Sequence, residues 1–148
     1  FSSQEEMKNA FEQGCLNKNF VAVVKNQGPQ ANGMPELHKL MPILGVLQDK
    51  GYRVALVTDG RLSGASGKVL SAIHVTPESH CGGTISLIKE GDMIEVDATK
   101  GILKVDAKLE TRAQSLKSKS SNVEGFGRAL FKGMRARVTT AEEGATTF

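Results

Sequence analysis

The stretch RVALVTDGRLSGASGK, residues 53–68, governs the reading of the whole chain. Its first five residues are a compact, β-branched run bounded by turn-forming residues, the pattern of a short buried strand. The strand runs straight into Thr58, Asp59 and Gly60, and then into a segment carrying Ser63, Gly64, Ser66 and Gly67. Hydroxyls and backbone amides are thereby gathered at a strand's carboxyl end. Glycines allow positive φ and let a backbone approach a ligand closely, and successive amides in such a turn can form an anion-binding nest. The spacing is neither that of a nucleotide P-loop nor that of a nucleophile elbow. Pattern alone leaves two readings open: a ligand-facing loop, and a glycine-rich connection in which Asp59 caps a turn.

Upstream, residues 20–25 (FVAVVK) form a second β-branched run that breaks at the polar loop 26–33. Residues 35–50 read as a helix, with Pro35 at its first position. Leu37, Leu40, Met41, Leu44 and Leu47 then line one apolar face. Pro42 is expected to bend this helix, and Gly51 to close it. Residues 4–14 read as a short helix ending at Gly14. Downstream, residues 69–75 fit strand or helix, and residues 84–88, 93–97 and 102–105 read as three short β segments. Residues 108–121 are polar and linker-like. Residues 122–138 read as a helix stacking Phe126, Leu130, Met134 and Val138 at four-residue steps. This order predicts one mixed α/β domain over residues 1–148, a barrel or sandwich with packed helices, not a doubly wound parallel sheet.

Glu36 lies in GPQANGMPELHK, residues 28–39. A carboxylate there reads either as a helix-start residue answering the dipole or as a hard-oxygen ligand for a divalent cation. His38 falls on a different face of the same expected helix. His74 and His80 stand near Cys81, but no third ligand has the spacing of a metal site. His74, within an apolar stretch, is expected to be partly buried and satisfied.

Composition narrows the function classes. The 148 residues are 39% hydrophobic and 24% charged, as in a globular domain. The net charge of +3 is too small to argue for nucleic acid. Its excess gathers at Arg128, Lys132, Arg135 and Arg137. No run of about 18 apolar residues spans a membrane, and the first residues have no signal-peptide character. Those residues read as the interior of an acidic surface helix, so the chain is expected to be part of a longer one. Cys15 and Cys81 form no CxxC pattern, so neither a disulfide framework nor a zinc site is indicated, and a reducing cytoplasm is the expected home.

Residues 28–79, GPQANGMPELHKLMPILGVLQDKGYRVALVTDGRLSGASGKVLSAIHVTPES, resemble the C-terminal part of the dihydroxy-acid and phosphogluconate dehydratase family. The motifs GMPE (33–36) and TDGRLSG (58–64) are long, ungapped and uncommon. The ending GRALFKGMRARVTTAEEGATTF (127–148) is similar to the phosphogluconate branch, and the likeness is weakest across residues 109–122.

The resemblance implies a two-domain hydro-lyase. Its larger N-terminal domain, missing here, would supply the cysteines of an iron–sulfur cluster. This chain would be the smaller β-barrel-like swivelling β/β/α domain with packed helices, inactive alone. Glu36 is implied as a ligand of Mg2+, and Ser63 as the general base, acting as an alkoxide. Asp59, Gly60, Arg61, Gly64 and Ser66 are implied to shape the substrate's surroundings. The implied substrate is a phosphorylated sugar acid, 6-phospho-D-gluconate, within the Entner–Doudoroff route. The implied assembly is a homodimer, with neither nucleic acid nor membrane as a partner. A sibling sugar-acid or dihydroxy-acid dehydratase, or a non-catalytic binding or docking module, are the alternatives.

Overall fold

The computed structural model describes residues 1–63, 67–112 and 125–148. Its elements run α1 Gln4–Glu12, β1 Phe20–Val24, α2 Pro29–Asn32, α3 Leu40–Asp49, β2 Val54–Thr58 and β3 Leu70–Ala72. They continue with β4 Met93–Asp97, β5 Ile102–Asp106, α4 Phe126–Leu130 and α5 Lys132–Arg135. Short 3-10 turns occupy Ser79–Cys81, Thr84–Leu87 and Leu109–Thr111.

β1, β2 and β3 form a parallel sheet in that order, with Phe20 opposite Val54, Val24 opposite Thr58 and Val57 opposite Ala72. Parallel pairing needs a crossover connection, and α2 and α3 provide it between β1 and β2. The central strand, β2, is buried along its whole length, which explains its unbroken apolar run. Alternation still sorts its neighbours by face. Ala22, Val24, Val54 and Leu56 pack with Leu37, Leu40, Leu44 and Leu47 beneath α3, joined by Met7 of α1. Val21, Val23 and Val57 face the other way, onto Ile85, Ile88 and the hairpin residues Ile94, Val96 and Val105. Helices, parallel sheet and hairpin therefore stack as three layers.

The hairpin is antiparallel, with Met93 opposite Asp106 and Asp97 opposite Ile102. Gly101, at φ +65°, supplies its left-handed turn residue. Two side-chain clamps hold this region, Lys25 tying it to the end of β1 and Arg112 tying its own segments together. Lys25 donates its Nζ protons to the carbonyls of Ser86, at 3.1 Å, and Ile88. Arg112 donates to both Asp92 oxygens, at 2.5 and 2.8 Å, and to the Leu87 carbonyl at 2.9 Å.

Several expectations are corrected. The described strands form two small separate sheets and no closed barrel, because a helical crossover joins β1 to β2 and makes that pairing parallel. Residues 84–87 are a 3-10 turn, not a strand: Ser86 donates its Oγ proton to the Gly83 carbonyl at 2.7 Å, a local bond that competes with ladder pairing. The helix expected from residue 35 starts at Leu40. Pro42 thus falls in the first turn, where its missing N–H is not needed, so it neither breaks nor shortens the helix. The terminal helix is two short ones, separated at Phe131, and residues 122–124 lie outside the described residues. Most of the expected linker, residues 113–121, also lies outside them.

Candidate active site

The carboxyl end of β2 is anchored from below. Thr58, Asp59 and Gly60 are buried. The Gly60 N–H donates to Thr58 Oγ1 at 3.0 Å. The Asp59 carboxylate accepts three backbone N–H bonds, from Asn26 at 3.0 Å, Gln27 at 2.9 Å and Ser79 at 2.9 Å. One side chain therefore ties the ends of β1 and β2 to the turn after β3. Burial pushes the Asp59 carboxyl above its ordinary value, and the three amides pull it partly back. Gly60 is needed for close packing: a Cβ there would lie 2.6 Å from the Gln27 Cβ.

Glu36 reaches the same place from the other side. Gly33 and Met34 are both left-handed, at φ 69° and 53°, and turn the chain out of α2. Glu36 then forms an isolated parallel bridge with Arg61, and the Leu37 N–H donates to the Arg61 carbonyl at 3.3 Å. Glu36 is therefore an extended-chain residue and not a helix start. Gln4 holds its main chain, donating from Nε2 to the Glu36 carbonyl at 3.2 Å.

The Glu36 side chain, 25% exposed, closes the arrangement. Its Oε1 accepts the Ser63 backbone N–H at 2.8 Å, and its Oε2 lies 3.2 Å from the Arg61 guanidinium. Arg61 also donates from Nε to the Met34 carbonyl at 3.0 Å. Of the residues singled out in the sequence, Glu36, Arg61 and Ser63 meet at one surface, with Arg61 and Ser63 exposed. Asp59 and Gly60 lie buried beneath them. Gly64 and Ser66 lie outside the described residues.

Glu36 suits a divalent cation as a single donor. A carboxylate offers about four lone pairs, and the contacts just described leave room at both oxygens. Among the described residues no group of three or more His, Cys, Asp or Glu could hold a metal. The cysteines do not fit an iron–sulfur cluster. Cys15 and Cys81 are both exposed and unpaired. Burial and the neighbouring Glu78 push the Cys81 thiol up.

His38, His74 and His80 are all exposed, which corrects the expectation of a partly buried His74. His74 is left-handed, at φ 55°, and its N–H donates to the Gly60 carbonyl at 3.0 Å. Lys68 is paired with Asp49 at 2.6 Å.

Sequence reasoning missed two supports. Glu78 is buried and accepts the Gln30 and Ala31 N–H groups at 2.9 and 3.1 Å, capping α2. A Cβ on Gly28 would lie 2.2 Å from its Oε2, so that glycine makes room for the cap. The other is Gln4, described above. Neither belongs to a recognisable motif. The C-terminal segment folds back on α2, where Arg128 donates to Asn32 at 3.4 Å and Gln30 to the Val138 carbonyl at 3.2 Å.

With this geometry in place, comparison with known proteins assigns the family. The family model for the dihydroxy-acid/6-phosphogluconate dehydratase C-terminal region matches residues 1–145, and the chain belongs to that family. The phosphogluconate dehydratase of Escherichia coli (strain K12) is 52% identical over 149 residues, covering 99% of this chain and 25% of that protein. That of Pseudomonas aeruginosa is 52% identical over 151 residues, covering 100% of this chain and 25% of that protein. The dihydroxy-acid dehydratase of Francisella tularensis is 36% identical over 151 residues, covering 99% and 26%. The chain thus spans a quarter of the length of the phosphogluconate dehydratases it matches, 25% in both.

Proposed function

We propose that the protein containing this chain is a hydro-lyase that dehydrates 6-phospho-D-gluconate to 2-dehydro-3-deoxy-6-phospho-D-gluconate. In this reading Ser63 is the general base and Glu36 a ligand of Mg2+. The observation that carries it is the 2.8 Å bond between the Ser63 N–H and Glu36 Oε1, which joins the two motif loops at an accessible edge. The 52% identity to phosphogluconate dehydratases, against 36% to a dihydroxy-acid dehydratase, favours the phosphorylated sugar acid.

The reaction removes the proton at C2, beside the carboxylate, and expels the C3 hydroxyl as water. The resulting enol tautomerises to the 2-oxo acid. That proton is scarcely acidic, so the charge developing on the carboxylate must be stabilised. A divalent cation held partly by Glu36 supplies this Lewis-acid stabilisation when bound. A serine hydroxyl is ordinarily too weak a base at neutral pH. Positive charge and oriented amides at a strand's carboxyl end favour its deprotonated form, and Oγ then accepts the C2 proton. Asp59 and Gly60 hold the loop rigid from beneath, while Gly64 and Ser66 belong to the substrate's surroundings. Any iron–sulfur cluster has its thiolates in the part of the protein outside this chain. The same reading makes the whole protein a cytoplasmic homodimer in which this domain swivels over its N-terminal partner.

Replacing Ser63 by Ala in the full-length enzyme tests the role of the base. Turnover should fall to background while the absorbance of the cluster stays unchanged. Near-normal turnover would refute it.

A further inference from the structure

Arg61 is an exposed residue of the TDGRLSG motif whose side chain is committed to two acceptors of the GMPE segment. Its main chain pairs with Glu36, and its carbonyl accepts the Leu37 N–H at 3.3 Å. Its Nε donates to the Met34 carbonyl at 3.0 Å, and its NH1 lies 3.2 Å from Glu36 Oε2. Arg61 therefore grips the GMPE segment on both sides of Glu36, at Met34 and at Leu37. A planar fork of donors can hold a carbonyl and a carboxylate at once, which a lysine ammonium on a flexible stem does poorly.

We propose that Arg61 is a positioning residue that acts through Glu36. Its guanidinium fixes the Glu36 carboxylate so that Oε1 meets the Ser63 amide, and it is not an anchor for the substrate's phosphate or carboxylate. The proposal rests on the roles assigned above to Glu36 and Ser63. With the side chain 52% exposed, the ion pair contributes little to stability by itself. Its effect is to select one orientation of a carboxylate whose two oxygens face different partners. The Oε1–Ser63 contact spans 27 positions of sequence, so anything that reorients the carboxylate also releases the serine loop.

The test uses the full-length protein with Arg61→Ala, Arg61→Lys, Glu36→Ala and the Arg61→Ala/Glu36→Ala double variant. Hydrogen exchange at the Ser63 amide is read without substrate or added cation. Steady-state turnover is read with 6-phosphogluconate. Arg61→Ala should speed Ser63 exchange about as much as Glu36→Ala does, and the double variant should exchange no faster than either, since both break one clasp. kcat should fall roughly ten- to a hundredfold in Arg61→Ala, as small misplacements of reacting groups do, with KM nearly unchanged. Arg61→Lys should fall between wild type and Arg61→Ala in both readouts.

A KM raised about tenfold with kcat and Ser63 exchange unchanged would make Arg61 a substrate anchor and overturn the proposal. So would Ser63 exchange insensitive to Arg61→Ala. The exchange readout does not depend on turnover. If Ser63→Ala proved active, the assignment of the base would fail while the clasp could still be seen.

Discussion

The Ser63 backbone N–H and the Glu36 carboxylate meet at 2.8 Å, although neither residue lies inside a regular helix or strand. The bond is made between two loops, each of which is held by its own buried carboxylate. Asp59 braces the strand beneath Ser63, and Glu78 caps the short helix that precedes Glu36. Precision at the surface is thus set by acids that never reach it.

Glu36→Gln separates charge from shape. The glutamine Oε1 can still accept the Ser63 N–H, so the fold should persist, with apparent Tm close to wild type. The carboxylate charge is lost, and affinity for the divalent cation should weaken by more than roughly tenfold. Cation titration of the full-length variant, followed by Mn2+ spin resonance or calorimetry, checks this. Unaltered cation affinity would remove Glu36 from the ligand set.

Asp59→Ala leaves three backbone N–H groups without acceptors in a buried site, and should cost about 3 kcal/mol or more of stability. Asp59→Asn should also destabilise, because one amide oxygen cannot replace two carboxylate oxygens and the NH2 group confronts a donor. Because burial raises the folded-state pKa of Asp59, its contribution is full below the ordinary Asp range and declines as pH rises through the raised value. Unfolding curves across pH for wild type and Asp59→Asn test both statements. A stability gap that stayed flat across pH would contradict the linkage.

How much of this was readable beforehand differs from element to element. β1 and β2 were legible because their β-branched runs are short and bounded by turn residues, and the leucine face of α3 because its spacing is helical. The start of that helix was not, since Pro35-Glu36 looks the same at a helix entrance as in an extended bridge. Only the partner, Arg61, decides between them, and it is 25 positions away (61 − 36). Residues 84–88 looked like a strand because Ile85, Leu87 and Ile88 are buried in either conformation. The surface trio of Glu36, Arg61 and Ser63 was legible through its motifs. Glu78 was not, because a glutamate that caps another segment's helix leaves no local signature.

Arg112 holds the Asp92 carboxyl well below the usual carboxylate range. A depressed folded-state pKa contributes stability that is fully present above the unfolded value, about 3.9, and lost as pH falls towards the folded one. Arg112→Leu should therefore destabilise the hairpin region at neutral pH, and the gap from wild type should narrow on acidification. Thermal unfolding measured from neutral to acidic pH reads this directly. A gap that stayed constant into acid would show that Arg112 acts by packing instead.

Gly60→Ala tests how tightly the floor of the site is packed. The added methyl would lie 2.6 Å from the Gln27 Cβ, 3.0 Å from Leu37 Cδ1 and 3.2 Å from the Gln27 carbonyl. Leu37 can rotate away, but the Gln27 main chain is pinned by its bond to Asp59 at 2.9 Å. Overpacking at a site that cannot relax typically costs about 1–3 kcal/mol. The same push would lift the strand end that carries Arg61 and Ser63, so activity should fall further than stability alone explains. Gly51→Ala, just after α3, is the matched control. No atom lies within 4 Å of its would-be Cβ, and its φ of +91° makes the penalty a backbone one. That penalty is expected to be about 1–2 kcal/mol. Comparing turnover of the two full-length variants at a temperature where both are fully folded separates steric displacement of the loop from simple loss of stability. Equal residual activity in the two would argue that the Gly60 contact does not shape the site.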